Sequence, residues 1–234
     1  VDVTVHGSPA TDQHRPLQVR RLGLVDYQTA LDLQKELVEQ RKEGVIPDQL
    51  LLLEHPHVIT LGSRNRSSRS NVLETPESLA LKGVALFETG RGGDVTYHGP
   101  GQLVGYPILE LPRERRDVHR YVRDLEEILI QAVSDFDIAA RRLPGLTGIW
   151  AGPDENPAKL AAIGVRISRW VTSHGFALNV STDLSHFGLI VPCGIPDKGV
   201  TSMERVLARP VSMAEVAEAV VRRFERVCGV SPTT

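Results

Sequence analysis

Two sulfur atoms and one glycine-rich stretch are the places where this sequence could do covalent chemistry. Cys193 stands between Pro192 and Gly194, just after the apolar residues 189–191, where a rigid, tight backbone can present a side chain to a cleft. The residue types leave two readings open there, a nucleophilic thiolate or a packed thiol. Cys228 falls in the last turn of an amphipathic segment beside Phe224 and Val227, the setting of a buried, inert cysteine. Arg91, Gly92, Gly93, Asp94, Val95, Thr96, Tyr97 and His98, with the Gly99-Pro100-Gly101-Gln102 that follows, form the densest polar and glycine-rich stretch. Glycines there allow close backbone approach to a ligand and free amide N–H groups for an anion or carbonyl. The stretch lacks the Gly-Lys-Ser/Thr of a nucleotide-phosphate loop, and Pro100 does not suit a dinucleotide fingerprint.

Histidines could suggest a metal, since His55 and His57 are two apart and His98, His174 and His186 lie elsewhere. Pro56 between the first pair argues for a turn rather than a strand with both rings on one face. No His-Glu-x-x-His pattern exists, so these histidines are expected in the core or in a cleft wall and no metal site is expected. Arginines cluster at Arg64, Arg66 and Arg69, then at Arg113, Arg115, Arg116, Arg120 and Arg123. They read as solvated surface with intermittent ion pairs, or alternatively as a docking patch for an acidic carrier protein.

With 234 residues and a formal net charge of −2, the chain has no global basic field, which argues against nucleic acid as a partner. Its apolar runs, such as residues 50–53, fall far short of the roughly 20 residues that span a bilayer. Residues 1–16 carry no apolar core of a secretory signal, and two isolated cysteines suit a reducing compartment. A cytoplasmic location, no membrane association and a monomer are therefore expected. Residues 1–16 are expected to form a tail and 17–230 a single domain.

The elements that must position these residues can be read from periodicity. Residues 17–22, 50–53, 58–61, 84–88, 102–111, 148–151, 159–168 and 171–180 read as strands, the last two as a hairpin. Asp26 caps a helix with Ala30, Leu33, Leu37 and Val38 on one face, ended by Gly44. Asp117 opens a second helix through Phe136, and Ser212 with Glu215 makes a capping box for a third that ends at Gly229. Residues 62–80 read as a long surface loop and 89–101 as a glycine-rich turn. Strands both paired and alternating with helices give an α/β (α+β) class with a mixed β-sheet flanked by helices.

The stretches RGGDVTYHGPGQLVGYP at 91–107, KLAAIGVRISRWVTSHGFALNV at 159–180 and VPCGI at 191–195 together resemble the lipoyl(octanoyl) transferase family, over about residues 22–226. The resemblance implies the fold of the biotin and lipoate protein ligase catalytic domain. It implies transfer of an octanoyl group from octanoyl acyl carrier protein to the ε-amine of a lysine on a lipoyl domain. Lipoyl domains of 2-oxoacid dehydrogenase E2 subunits and the glycine cleavage H protein are the implied acceptors. On this resemblance Cys193 is the acyl carrier and Lys159 its partner. Residues 91–98, with Ala162, Ile163, Gly164, Gly175, Phe176 and Ala177, fall where the family binds the acyl group. Asp94 departs from the family pattern, where a longer side chain is expected.

These residue types suit that reaction. A thiolate attacks a thioester readily and still leaves well when an amine attacks in turn. Thioester exchange is nearly balanced and aminolysis runs downhill, so no cofactor, ATP or metal, is called for. A cysteine and a lysine in isolation titrate near ~8.5 and ~10.4, so at neutral pH they would be mostly thiol and ammonium unless they are neighbours and titrate together. Two rivals share the sequence: an ATP-dependent lipoate or biotin protein ligase, whose adenylate chemistry needs no thiol, and a catalytically silent binding protein, in which Cys193 would be unreactive.

Overall fold

The structure, a computed structural model, describes residues 15–63, 70–192 and 198–233. Its centre is an eight-stranded mixed sheet. In chain order these strands are β1 (Arg15–Leu24), β2 (Asp48–Glu54), β6 (Gln102–Ile108), β7 (Arg141–Leu143), β8 (Leu146–Ala151), β9 (Ala158–Ser168), β10 (Val171–Asn179) and β11 (Val230–Thr233). They lie in the order β11-β1-β2-β6-β10-β9-β8-β7. The β11-β1-β2 edge is parallel and the rest antiparallel. A second sheet, ordered β4-β3-β5, is built from β3 (Val58–Leu61), β4 (Ala85–Glu88) and β5 (Val95–His98).

The unbroken leucine run of β2 explains the layering. Alternation sends Leu50 and Leu52 to one face of the large sheet and Leu51 and Leu53 to the other, so a strand covered on both sides needs apolar residues throughout. On the first face pack α3 (Val118–Ser134) and α5 (Met213–Cys228), whose apolar stripes bury Leu125, Ile128, Leu129, Val220 and Phe224 completely. The Asp117 carboxylate accepts Arg120 N–H at 3.0 Å and the Ser212 hydroxyl accepts Glu215 N–H at 3.3 Å, closing both N-termini. On the second face lies α1 (Tyr27–Lys42), with Ala30, Leu37 and Val38 against Leu51, Val104 and Ile108. A third apolar cluster joins the small sheet to α2 (Pro76–Leu81) and the turn at Leu184–Leu189. The hairpin of β9 and β10 turns on Arg169 and Trp170, both left-handed (φ 49° and 65°), as a two-residue connection requires.

Three expectations need correction. Residues 62–80 are not one loop: Pro76–Leu81 is helical, because Thr75 caps it by accepting Ser78 N–H at 3.2 Å and Pro76 starts it with a preset φ. Residues 89–101 are not one turn: Val95–His98 is a wholly buried strand paired antiparallel to β3, hidden in the sequence by glycines on both sides. The expected tail over 1–16 gives up Arg15 and Pro16 to β1, where they pair with Val230 and Ser231; residues 1–14 lie outside the described residues. Two strands of the small sheet were expected, at 58–61 and 84–88, whereas its separation from the large sheet, β7, β11 and the short α4 (Met203–Leu207) were not. Among the described residues no helix is long and apolar enough to cross a membrane.

Candidate active site

Between the glycine-rich loop and the β9–β10 hairpin lies a cavity of about 420 Å³. Of the residues expected to form a site, Arg91, Gly92, Gly93, Asp94, Val95, Thr96, His98, Lys159, Ala162, Ile163, Gly164, Gly175, Phe176 and Ala177 all line it. Tyr97 does not. Strand alternation turns it away from Thr96 and His98, and its ring packs against His186 and Phe187 with its hydroxyl 2.7 Å from His57 Nδ1. Cys193, with Gly194, lies outside the described residues, as do Arg64, Arg66 and Arg69.

The loop is bound to the hairpin through its backbone, Gly92 N–H donating to Val165 O at 2.9 Å. That approach is possible because residue 164 is glycine: a Cβ there would sit 2.9 Å from Gly92 O and 3.1 Å from Arg91 Cδ. The departure at Asp94 has a local role, its carboxylate accepting Asn71 Nδ2 and Val95 N–H, both at 2.7 Å.

A hydrogen-bond chain runs from the loop across the cavity wall. Buried Arg91 donates to Thr60 O and Oγ1 at 2.6 and 2.8 Å. Thr60 Oγ1 is 3.4 Å from His98 Nε2, and His98 Nδ1 is 2.8 Å from Gln102 Oε1. The Gln102 amide donates to Asn179 Oδ1 at 2.9 Å, and Asn179 Nδ2 donates to Thr201 O at 3.0 Å. Since Gln102 Oε1 can only accept, His98 carries its proton on Nδ1, and neutral Nε2 accepts the hydrogen bond of the Thr60 hydroxyl. The chain ends beside Lys159, whose carbonyl accepts Thr201 N–H at 3.0 Å and whose N–H donates to Gly199 O at 2.9 Å.

His174 lines the cavity, as expected of a cleft-wall histidine, while Tyr27, Tyr106 and the α3 residues Val118, His119 and Val122 also line it and were not expected there. Val118 and Val122 read in the sequence as core stripe, and Tyr27 and Tyr106 as single polar aromatics in apolar runs. His55 lies behind them, with Nδ1 2.6 Å from Val25 O and Nε2 2.8 Å from the Tyr106 hydroxyl. Burial dominates the titration of the whole group. It pushes His98 down to about 3, helped by His55 and Arg91, and His174 down to about 4, helped by Arg91 and Arg166. It also lowers His55 and raises Tyr27 to about 12. At neutral pH these four rings are therefore uncharged.

Lys159 is 7% exposed, with Nζ 4.8 Å from the ring centroid of Trp150 on the paired strand β8. Strand β8 needs a glycine at Gly148 (φ 113°), where a Cβ would stand 2.4 Å from Ala161 O of the paired β9. Gly148 N–H is held at 2.9 Å by the fully buried carboxylate of Glu126, itself paired with Arg123 and Arg142. Lys159 and Pro192 also line one small cavity together. Cys228 is buried, and its thiol is pushed up to about 12 by burial, which suits packing and not attack. Among the described residues no group of three His, Cys, Asp or Glu side chains is placed to hold a metal.

Residues 26–225 match the family described as Lipoyl protein ligase A/B catalytic domain. The chain is 55% identical over 209 residues to an octanoyltransferase of Solibacter usitatus, covering 89% of this chain and 91% of that one. It is 53% identical over 210 residues to an octanoyltransferase of Myxococcus xanthus, covering 89% of this chain but 58% of the longer relative. Its fold matches that of a bi-partite lipoate protein ligase from Thermoplasma acidophilum with a TM-score of 0.70 at 16% identity, over 94% of this chain and 88% of the other.

Proposed function

The chain belongs to the octanoyltransferases within the lipoyl protein ligase A/B catalytic-domain family, and on that premise we propose that it carries an octanoyl group on Cys193 from octanoyl acyl carrier protein to a lysine of a lipoyl domain. Lipoyl domains of 2-oxoacid dehydrogenase E2 subunits and the glycine cleavage H protein are the acceptors, and the protein acts as a cytoplasmic monomer. In the first step the Cys193 thiolate attacks the donor thioester carbonyl; the tetrahedral adduct collapses with release of the carrier's thiol, which takes up a proton. In the second, the acceptor's neutral amine attacks the Cys193 thioester, an amide forms, and the thiolate leaves. The amine's proton passes to Lys159 or to solvent, so both steps balance without nucleotide or metal.

The observation that carries this reading is the setting of Lys159. It is a buried amine in the wall of an acyl-sized cavity, and it shares the wall of a small neighbouring cavity with Pro192, the residue before Cys193. At about 3 to 4 Å from the sulfur, its ammonium would favour the thiolate, or its neutral amine would take the proton. The loop of Gly92 and Gly93 and the backbone at Gly164 and Gly175 give the acyl chain a slot with little side-chain bulk.

An ATP-dependent ligase shares this fold, but the sequence stands at 55% identity to an octanoyltransferase and at 16% to a ligase of known structure. The test is intact-protein mass spectrometry after incubation with octanoyl acyl carrier protein and no nucleotide. One octanoyl unit is expected on the parent and on Cys228→Ser, and none on Cys193→Ser. An absolute requirement for ATP would sink the transferase reading.

A further inference from the structure

Glu126 is a fully buried carboxylate on α3, the helix whose Leu125, Ile128 and Leu129 fill the apolar core, and acyl transfer as described makes no use of it. A buried charge, even a paired one, is often no more stabilising than an apolar side chain of the same volume, so stability alone does not account for it. Its hydrogen bonds point to the neighbouring strand. Oε2 accepts Arg123 Nη1 at 2.5 Å and Arg142 Nε at 3.1 Å, which offsets the charge, and Oε1 is left to accept Gly148 N–H at 2.9 Å. Beside Gly148 the ladder between β8 and β9 slips: Ile149 pairs with Ala161 but Trp150 pairs with Lys159, so β9 carries one extra residue, Leu160. That bulge decides where Lys159 points. Ala162 lines the cavity, while Leu160 and Ala161 both belong to the apolar cluster beneath α3 and α5. Strict alternation back from Ala162 would send Lys159 to the apolar side, and the extra residue returns it to the cavity wall, with Nζ over the Trp150 ring.

Resting on the acyl-transfer reading above, we propose that Glu126 is a positioning residue for Lys159: through Gly148 N–H its carboxylate pins β8 at the bulge, and the pinned bulge holds the lysine on the cavity face. The link is short, since a Cβ at residue 148 would stand 3.7 Å from Lys159 Cε as well as 2.4 Å from Ala161 O. Without the bond to Glu126 the bulge is free to relax toward regular pairing, and a slip of one residue turns side chains to the other face of a sheet. Glu126 forms no part of either cavity wall, so its contribution is to geometry and not to the proton transfer itself.

Two variants separate the bond from the bulk: Glu126→Met, unbranched and of similar length, removes the acceptor, and Glu126→Gln keeps an oxygen for Gly148 N–H. Loading from octanoyl acyl carrier protein is followed per folded molecule over a range of donor concentrations. In parallel, NMR of lysine-labelled protein follows the Lys159 side-chain methylene, which the Trp150 ring current displaces and which is assigned by its loss in Lys159→Ala. Glu126→Met is expected to lower the saturating rate by about a hundredfold, the cost of misplacing a reacting group by about an ångström, with the half-saturating donor concentration unchanged. Its Lys159 signal should move to the position of a lysine free of the ring, whereas Glu126→Gln should keep both the displaced signal and most of the rate. Added to Lys159→Ala, Glu126→Met should slow loading by no more than ~twofold, because the group it positions is already gone. Effects that multiply in the double variant, or a Lys159 signal in Glu126→Met that stays where the parent has it, would overturn the assignment. Normal loading by Lys159→Ala would instead count against the transfer reading, and the NMR signal would still decide whether Glu126 sets the face of the lysine. If Glu126→Met does not fold, Gly148→Ala pries the same bulge with a Cβ against Ala161 O, and an undisturbed Lys159 signal there overturns the assignment equally.

Discussion

The two faces of the large sheet use the same strands for opposite purposes. Toward α3 and α5 the sheet presents leucine, isoleucine, valine and phenylalanine, and the contact is dry and apolar. Around the cavity it presents glycine, alanine, histidine and tyrosine, with buried polar rings neutralised by their surroundings and a left-handed histidine in the wall, and only the first turns of α3, through Val118, His119 and Val122, reach that lining from the helical side. The first face is where burial supplies stability. The second holds polar groups at some cost to stability, which the first face offsets. Glu126 apart, variants on the two faces should therefore separate cleanly into those that change folding and those that change chemistry.

The largest separation is expected at Lys159. Lys159→Ala should slow acyl loading of Cys193 by about a thousandfold, within the ~10²–10⁴ range for a positioned proton-transfer group, while thermal unfolding shifts little. Stopped-flow or quenched loading followed by mass spectrometry gives the rate, and calorimetry the stability. A variant that unfolds early yet loads normally per folded molecule would move Lys159 from the chemical face to the structural one. Next in size, on the opposite face, is Leu129→Ala. Leu129 is fully buried in the α3 stripe, and its truncation should cost ~2–5 kcal/mol in denaturant unfolding with loading per folded molecule unchanged.

The same asymmetry explains what could be read from the sequence. The helical face was legible because its signal is periodic and local: the stripe from Tyr121 to Val133, the caps at Asp117 and Ser212, and the two-faced leucine run of β2 each sit within one segment. The glycine-rich loop was legible as a candidate site by composition, and the placing of Lys159 came from resemblance. What stayed hidden is held together by long-range hydrogen bonds. Nothing local ties Tyr27 to Tyr106, or Gln34 to His174 across 140 residues. β5 was hidden because its flanking glycines outweighed a four-residue alternation. Tyr97 was assigned to the site by its place in the motif, yet strand alternation turns it to the other side.

A third prediction concerns acid. His98 and His174 are held at about 3 and about 4, and His55 is also lowered, whereas in the unfolded chain each returns to 6.5. As pH falls below about 6.5 the unfolded chain takes up protons that the native protein refuses, so stability present above that pH drains away until the native rings themselves protonate near 4 and 3. Each such histidine contributes a slope of up to about 1.4 kcal/mol per pH unit. Denaturant unfolding at pH 7.5 and 5.5 should show a loss of a few kcal/mol, and His174→Asn should lose less. Equal stability at the two pH values would mean that the cavity face is wet enough to accept the charges, and the contrast between the faces would fail.

The smallest effect tests whether the faces are mechanically separate. Ser212 closes α5 by a single hydrogen bond to Glu215 N–H, so Ser212→Ala should cost ~1 kcal/mol by loss of that cap. Residue 212 lies on the helical side and lines no part of the cavity. If the sheet isolates one face from the other, the variant should load octanoyl at the parent rate and keep the same ratio between octanoyl and decanoyl donors. A changed ratio at so mild a loss of stability would mean that the placement of Phe176, which packs against α5 on one side and lines the cavity on the other, transmits helix motion into acyl selection. Acyl selection would then be a property of the whole layered sheet and not of the cavity wall alone.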